Sequence, residues 1–201
     1  MEDLYETTVG VRTISLDAQR GFLINGKSNK IKGGCVTHEN GPLGDKAYDR
    51  AEERKAELLK TNGYNAVRAS HKPPSVAFLS ACDRIGLLVL DEAFDMWTYG
   101  KNPYDYHRFF KENWKKDIDA MIMRDRNHPS VIMWSIGNEI PAMDSPEVVA
   151  NARMLANYIR EIEPTRPITA GMNNLSEQLN DCTLYTFPSP RNRQKSRMPA
   201  F

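Results

Sequence analysis

Ser130-Val-Ile-Met-Trp-Ser-Ile-Gly-Asn-Glu-Ile-Pro141 is the stretch on which the reading of the whole chain turns. Val131 to Trp134 has the length and β-branched content of a buried parallel strand, and the run stops at Gly137-Asn138-Glu139, where the backbone can turn and polar groups can face a cleft. In α/β folds the chemistry sits beyond the C-terminal ends of such strands, beside the loops that lead into the next helix. Glu139 is therefore the catalytic candidate.

Working outward, short apolar runs alternate with longer amphipathic stretches. Upstream, Leu87 to Leu90 runs into Asp91-Glu92, Ala66-Val67-Arg68 into Ala69-Ser70-His71, and Lys30 to Val36 ends near Cys35 to His38. Between them lies a helix from about Lys46 to Asn62, with Ala47, Ala51, Leu58 and Leu59 on one face. A second, capped by Ser75 and closed by Gly86, carries Val76, Leu79, Cys82 and Ile85. A third, about Phe109 to Arg126, aligns Trp114, Ile118, Met121 and Ile122. Downstream, Pro146 to Glu163 aligns Val148, Ala152, Leu155, Ile159 and Ile162. Ile168-Thr169-Ala170 is a fifth strand and Thr183 to Phe187 a candidate sixth. Such alternation predicts an α/β fold with a parallel sheet of five or six βα units. An eight-unit barrel needs about 250 residues, so the expectation is a partial one. Before all this, Val9 to Gly26 alternates apolar and polar residues and ends in an Asn25-Gly26 turn signal, as antiparallel β structure does.

With 40% apolar and 26% charged residues in a chain of 201, a folded core is expected rather than disorder. A formal net charge of +1 gives no overall field toward nucleic acid or an anionic membrane. Arg191, Arg193, Lys195 and Arg197 make a basic end to a mildly acidic body. Without interleaved aromatics, that end reads as a solvated, disordered tail. Three widely spaced cysteines, Cys35, Cys82 and Cys182, suggest neither a disulfide framework nor a zinc site. No apolar stretch approaches the roughly 18 residues of a membrane span. Met1-Glu2-Asp3-Leu4-Tyr5-Glu6 is too acidic to open a signal peptide, so the default expectation is a cytoplasmic protein.

Each candidate strand ends in groups that can hold a polar substrate: His38, then Arg68 and His71, then Asp91 and Glu92, then Asn138 and Glu139. In a parallel barrel these ends converge on one mouth. Taken singly, each has a plainer reading. His38 and His71 could be loop residues, Arg68 the structural partner of Asp91 or Glu92, Asp91-Glu92 a cap, and Glu139 a helix N-terminal charge. His107 and His128 read as structural, and Trp97 and Trp134 as core rather than sugar platforms.

The series Phe22-Leu23-Ile24-Asn25-Gly26-Lys27, His38-Glu39-Asn40 with Gly41-Pro42-Leu43-Gly44, Asn65-Ala66-Val67-Arg68-Ala69-Ser70-His71, Asp91-Glu92-Ala93, and Arg126-Asn127-His128-Pro129 through Asn138-Glu139 resembles glycoside hydrolase family 2, the β-galactosidase and β-glucuronidase family. The resemblance covers about residues 9–175. It implies a (β/α)8 catalytic barrel preceded by β-sandwich domains, and retaining hydrolysis of a β-glycoside. Glu139 matches the family's acid/base, and Asn138 the residue that hydrogen-bonds the sugar 2-hydroxyl. His38, Arg68 and His71 match pocket residues, with Asp91 and Glu92 in the substrate-binding set.

On that resemblance, residues 1–26 are the last strands of a sandwich domain, 27–187 an incomplete TIM barrel and 188–201 a disordered basic tail. The family's nucleophile, a glutamate near the end of the seventh strand, has no matching segment; Glu147, Glu161, Glu163, Glu177 and Asp181 all stand in other places. The chain alone is therefore expected to be inactive. Met96 and Thr98 stand where the large β-galactosidases place an acid and a histidine on magnesium, so no metal and no cofactor is expected. The expected partner is a carbohydrate, a β-galactoside or a related sugar, with self-association through open barrel edges. A carbohydrate-binding pseudoenzyme using the barrel mouth is the alternative. An inverting hydrolase with Asp91 or Glu92 as distant base is a third reading.

Overall fold

A computed structural model describes Leu4, residues 9–17 and residues 19–173. The alternating N-terminal stretch forms a three-stranded antiparallel sheet of β1 (Ile14–Asp17), β2 (Gly21–Ile24) and β3 (Lys27–Ser28), with Ile14 opposite Ile24. Asn25 and Gly26 turn the second hairpin at φ 51° and 72°, the double left-handed conformation that Asn-Gly tolerates best.

Five parallel strands follow in sequence order: β4 (Gly33–Val36), β5 (Ala66–Ala69), β6 (Leu88–Glu92), β7 (Val131–Asn138) and β8 (Ile168–Gly171). The connecting helices are α1 (Asp49–Thr61), α2 (Val76–Ile85), α3 (His107–Asp125) and α4 (Pro146–Ile162). This is the expected parallel α/β sheet of a partial TIM barrel. The candidate sixth strand, Cys182, Glu177, Asp181 and the basic tail lie outside the described residues.

Local chemistry sets the helix ends. Ser75 Oγ accepts from the Phe78 N–H at 3.1 Å and Ser145 Oγ from Val148 at 3.2 Å. Each such cap stabilises its helix by about 1 kcal/mol. Gly86 stops α2 at φ 69°, where a side chain would be strained. α4 buries the predicted stripe of Val148, Ala152, Leu155 and Ile159. In α1 the expectation only half holds, since the helix buries Glu52 and Ala56 while Leu58 is exposed. It lies outside β4, an edge strand among the described residues, so part of its apolar face meets no layer.

Two cores result. Between sheet and helices, Val67, Val89, Trp134, Ile136 and Ile168 pack against Phe78, Ile118, Ile122, Leu155 and Ile159. Fully burying an aliphatic side chain contributes about 1.5–3 kcal/mol, so this layer dominates stability. On the other face, Leu90, Ile132 and Met133 meet Phe22 of β2, joined by Ile14, Leu16 and Ile24. The antiparallel sheet thus covers the inner face at the start of β6 and β7, and leaves the ends of those strands for polar groups. Trp97 and Trp134 are fully buried, as read from sequence, and donate to Ile136 O and Glu163 Oε2.

Candidate active site

Strand pleating decides which strand-end groups meet. Along β6, Val89 and Asp91 face the helices whereas Leu90 and Glu92 face inward, because successive side chains alternate. Glu92 is fully buried at the centre of a network. It accepts from Arg68 Nε at 2.8 Å and Arg68 Nη2 at 2.6 Å, from His71 Nδ1 at 2.7 Å and from Ser135 Oγ at 2.5 Å. Three strands therefore converge on one carboxylate. Arg68 Nη2 also donates to Asn138 Oδ1 at 2.8 Å, which brings in the end of β7. Both strands run further than the sequence suggested, β6 through Glu92 and β7 through Asn138. These polar residues find partners on the neighbouring strands, so pairing continues where a turn was expected.

Gly171 makes room for this network. A Cβ there would collide with the Arg68 guanidinium, so β8 offers bare backbone where Arg68 crosses it. Gly171 O also accepts from the Glu139 N–H at 2.6 Å. Glu139 takes a left-handed φ of 42°, a conformation that a side chain at this position strains, and its carboxylate is exposed beside Asn138. Asp95, in the loop after β6, accepts from Asn138 Nδ2 at 2.8 Å and from Lys101 Nζ. Burial alone would raise its carboxyl, but these hydrogen bonds outweigh it and hold Asp95 below the ordinary carboxylate value. His71 and Asp95 line one side of a cleft of about 640 Å³, with Phe94, Met96 and Tyr106 behind them. A larger groove of about 760 Å³ between β4 and α1 is lined by Val36, Leu43, Leu58 and Tyr64, none of which belongs to this network.

Of the residues singled out in sequence, Arg68, His71, Glu92 and Asn138 come together, and Glu139 follows Asn138 as an exposed residue tied by its main chain to Gly171. His38 is bound to the loop instead: its Nε2 donates to Pro73 O at 2.9 Å, and its Nδ1 is buried without a partner. Asp91 does not join the mouth, a correction to its placement in the substrate-binding set. One residue's difference in register turns it to the helical layer, where it is fully buried against Asp125 of α3. Ionised, its oxygens find no donor; protonated, it can donate to Asp125, whose own carboxylate is held by Arg124 Nε at 2.6 Å and Nη2 at 2.7 Å. His107 and His128 pair with Asp105 and Asp83, away from the mouth. The sequence reading passed over Ser135, Asp95, Lys101 and Gly171. Period-2 counting could not have found Ser135, which stands an odd three residues before Asn138; the register shift between the two in β7 is what lets both reach the network.

Burial, and then repulsion by Asp125, push the Asp91 carboxyl well above its ordinary value of 3.8. The folded state therefore holds a proton that the unfolded chain releases. The stability tied to that proton is intact below the unfolded value and is lost as pH rises through the folded one. Asp91→Asn keeps the shape and supplies a donor without charge. It is expected to stabilise the protein at pH 8 by about 1–3 kcal/mol, the usual cost of a buried polar group without a partner. Little gain is expected near pH 4. Urea titrations at the two pH values check this, and an equal gain at both would speak against it.

A polar, carboxylate-centred cluster where parallel strands end lies where barrel-type α/β folds place their chemistry. The chain belongs to glycosyl hydrolase family 2, whose TIM barrel domain model matches residues 17–196. It is similar to the β-galactosidase BoGH2A of Bacteroides ovatus, at 41% identity over 85% of this chain and 24% of that protein. It is also similar to a putative β-glucuronidase of Formosa agariphila, at 41% identity over 84% of this chain and 16% of that protein. A solved structure of a glycosyl hydrolase family 2 member from Bacteroides cellulosilyticus superposes with a TM-score of 0.84 at 56% identity, covering 87% of this chain and 22% of that one. The chain thus spans about a quarter or less of the length of these relatives.

Proposed function

We propose that this chain supplies the proton-transfer half of a retaining β-glycosidase acting on a β-galactoside or a related sugar, with Glu139 as acid/base. The observation that carries this reading is the bonding of Arg68, Glu92 and Asn138 into one network directly before the exposed Glu139 carboxylate. In retaining hydrolysis one carboxylic acid protonates the leaving oxygen while a second carboxylate, about 5–5.5 Å away, attacks the anomeric carbon. The first group then takes a proton from the water that releases the sugar. Asn138 is assigned to the sugar 2-hydroxyl, and Arg68 and His71 to the orientation of Glu92 and the pocket wall. His38 acts at one remove, by holding the Pro73 loop beside His71.

Glu92 is a poor attacking group, because it is buried and both its oxygens are engaged. The attacking carboxylate is therefore assigned outside the described residues, and because Glu177 and Asp181 do not match the place of the family's nucleophile, residues 1–201 alone are expected to give little turnover. Among the described residues, those after Ser28 are assigned to the barrel; β3 carries the antiparallel sheet past the expected boundary at residue 26, and that sheet packs against the inner face of β6 and β7. Assays with chromogenic β-galactoside and β-glucuronide on the full-length protein carrying this chain test the reading. Turnover of one of them with a retained anomer by NMR, lost in Glu139→Gln, is the expected result; an inverted product would overturn it.

The sheet edges bear on residues 1–201 produced alone. Among the described residues β4 and β8 each pair on one side only, and the groove beside β4 exposes Leu43, Leu58 and Tyr64. Unpaired edges next to apolar surface promote association. Size-exclusion chromatography is expected to find species larger than a monomer; a monodisperse monomer with a sharp melt would count against the assignment.

A further inference from the structure

Asn138 can serve a sugar hydroxyl only if its amide is held the right way round. An amide offers two N–H donors at one end and two lone pairs at the other. Its neighbours here leave no choice. Arg68 can only donate, so the 2.8 Å contact from its Nη2 must reach the Asn138 carbonyl oxygen. Asp95 is an ionised acceptor, so its 2.8 Å contact must come from the Asn138 NH2 group. Lys101 ties the arrangement together, because its ammonium donates to Asp95 Oδ1 and, at 2.8 Å, to the Asn138 main-chain oxygen. The Asp95 side chain is two-thirds shielded and that of Lys101 about three-quarters, and neither side chain has another partner among the hydrogen bonds of the described residues.

We infer that Asp95, braced by Lys101, is a positioning residue that locks the Asn138 amide with its second N–H free for a substrate hydroxyl. This rests on the proposed glycosidase reading and extends it to two residues outside the strand ends. Without Asp95 the amide keeps only the Arg68 contact on its carbonyl and swings about it. The loss then falls on whichever substrate group Asn138 holds, because misplacing a contact by about 1 Å can cost roughly 100-fold in rate.

The test compares kcat/KM for an aryl β-glycoside and its 2-deoxy analogue, on the full-length protein carrying this chain. Asp95→Ala is expected to lose about 100-fold on the first substrate and under about 3-fold on the second. Asp95→Asn retains an acceptor oxygen and should recover most of the loss. Should Asp95→Ala not fold, Lys101→Met is read the same way, with a selective loss expected. Equal losses on both substrates, or none on either, overturn the inference. Such a result leaves the glycosidase reading standing if Glu139→Gln still abolishes turnover. If Glu139→Gln does not, that reading fails on its own account.

Discussion

Glu139→Gln is expected to slow hydrolysis of an alkyl β-glycoside by about 100- to 10,000-fold, the span attributable to a positioned general acid or base. The substitution keeps the side-chain shape, and the backbone bond from Glu139 N to Gly171 O does not involve the carboxylate. Folding should therefore be unchanged and the loss should be chemical. An alkoxide leaves only when protonated, so an alkyl glycoside suffers in the first step. A dinitrophenolate leaves unaided, so with that substrate the glycosyl-enzyme still forms and then waits for a water that nothing deprotonates. A burst of dinitrophenolate is expected, followed by slow release. Azide needs no base and should restore turnover by giving a β-glycosyl azide. Loss of the attacking carboxylate would remove the burst, and azide, attacking once in its place, would give the inverted α-glycosyl azide instead. Equal slowing with both leaving groups would take Glu139 out of the acid/base role.

The elements were legible because they rest on local rules. Ser75 and Gly86 bound α2 by cap chemistry, and the stripe Val148, Ala152, Leu155, Ile159 fixes the buried face of α4. Strand-end carboxylates were legible too, but not which of two neighbours faces the mouth. Asp91 and Glu92 are equivalent in composition and opposite in orientation, and only the pleat of β6 against β5 and β7 separates them. Asp95 and Lys101 lay in a loop rich in aromatics, where no periodicity applies. Their value depends on where the loop returns, and that is set by Trp97 burying itself against Ile136 O. The exposed face of α1 is illegible for the opposite reason: its pattern is helical, but the layer it would cover is not supplied by the described residues.

Arg68→Ala is expected to cost about 3–5 kcal/mol of folding stability, the penalty for leaving a buried carboxylate without its cation. The buried pair need not itself be stabilising, since desolvating both ions offsets most of their attraction; the penalty comes from removing one member. Glu92 would keep Ser135 and His71 but lose two charge-assisted bonds at 2.8 and 2.6 Å. Removing the Arg68 stem would also open space beside Gly171, which has no side chain to fill it. These two contributions separate in a double-mutant cycle. Glu92→Gln in the Arg68→Ala background removes the stranded charge while keeping hydrogen bonds to Ser135 and His71 available. The double variant should therefore be more stable than Arg68→Ala alone, recovering about half of the loss and leaving the packing defect. Urea unfolding of the four proteins measures the cycle. Additive losses would mean that Arg68 is held for its contact with Asn138 rather than as the counter-ion of Glu92.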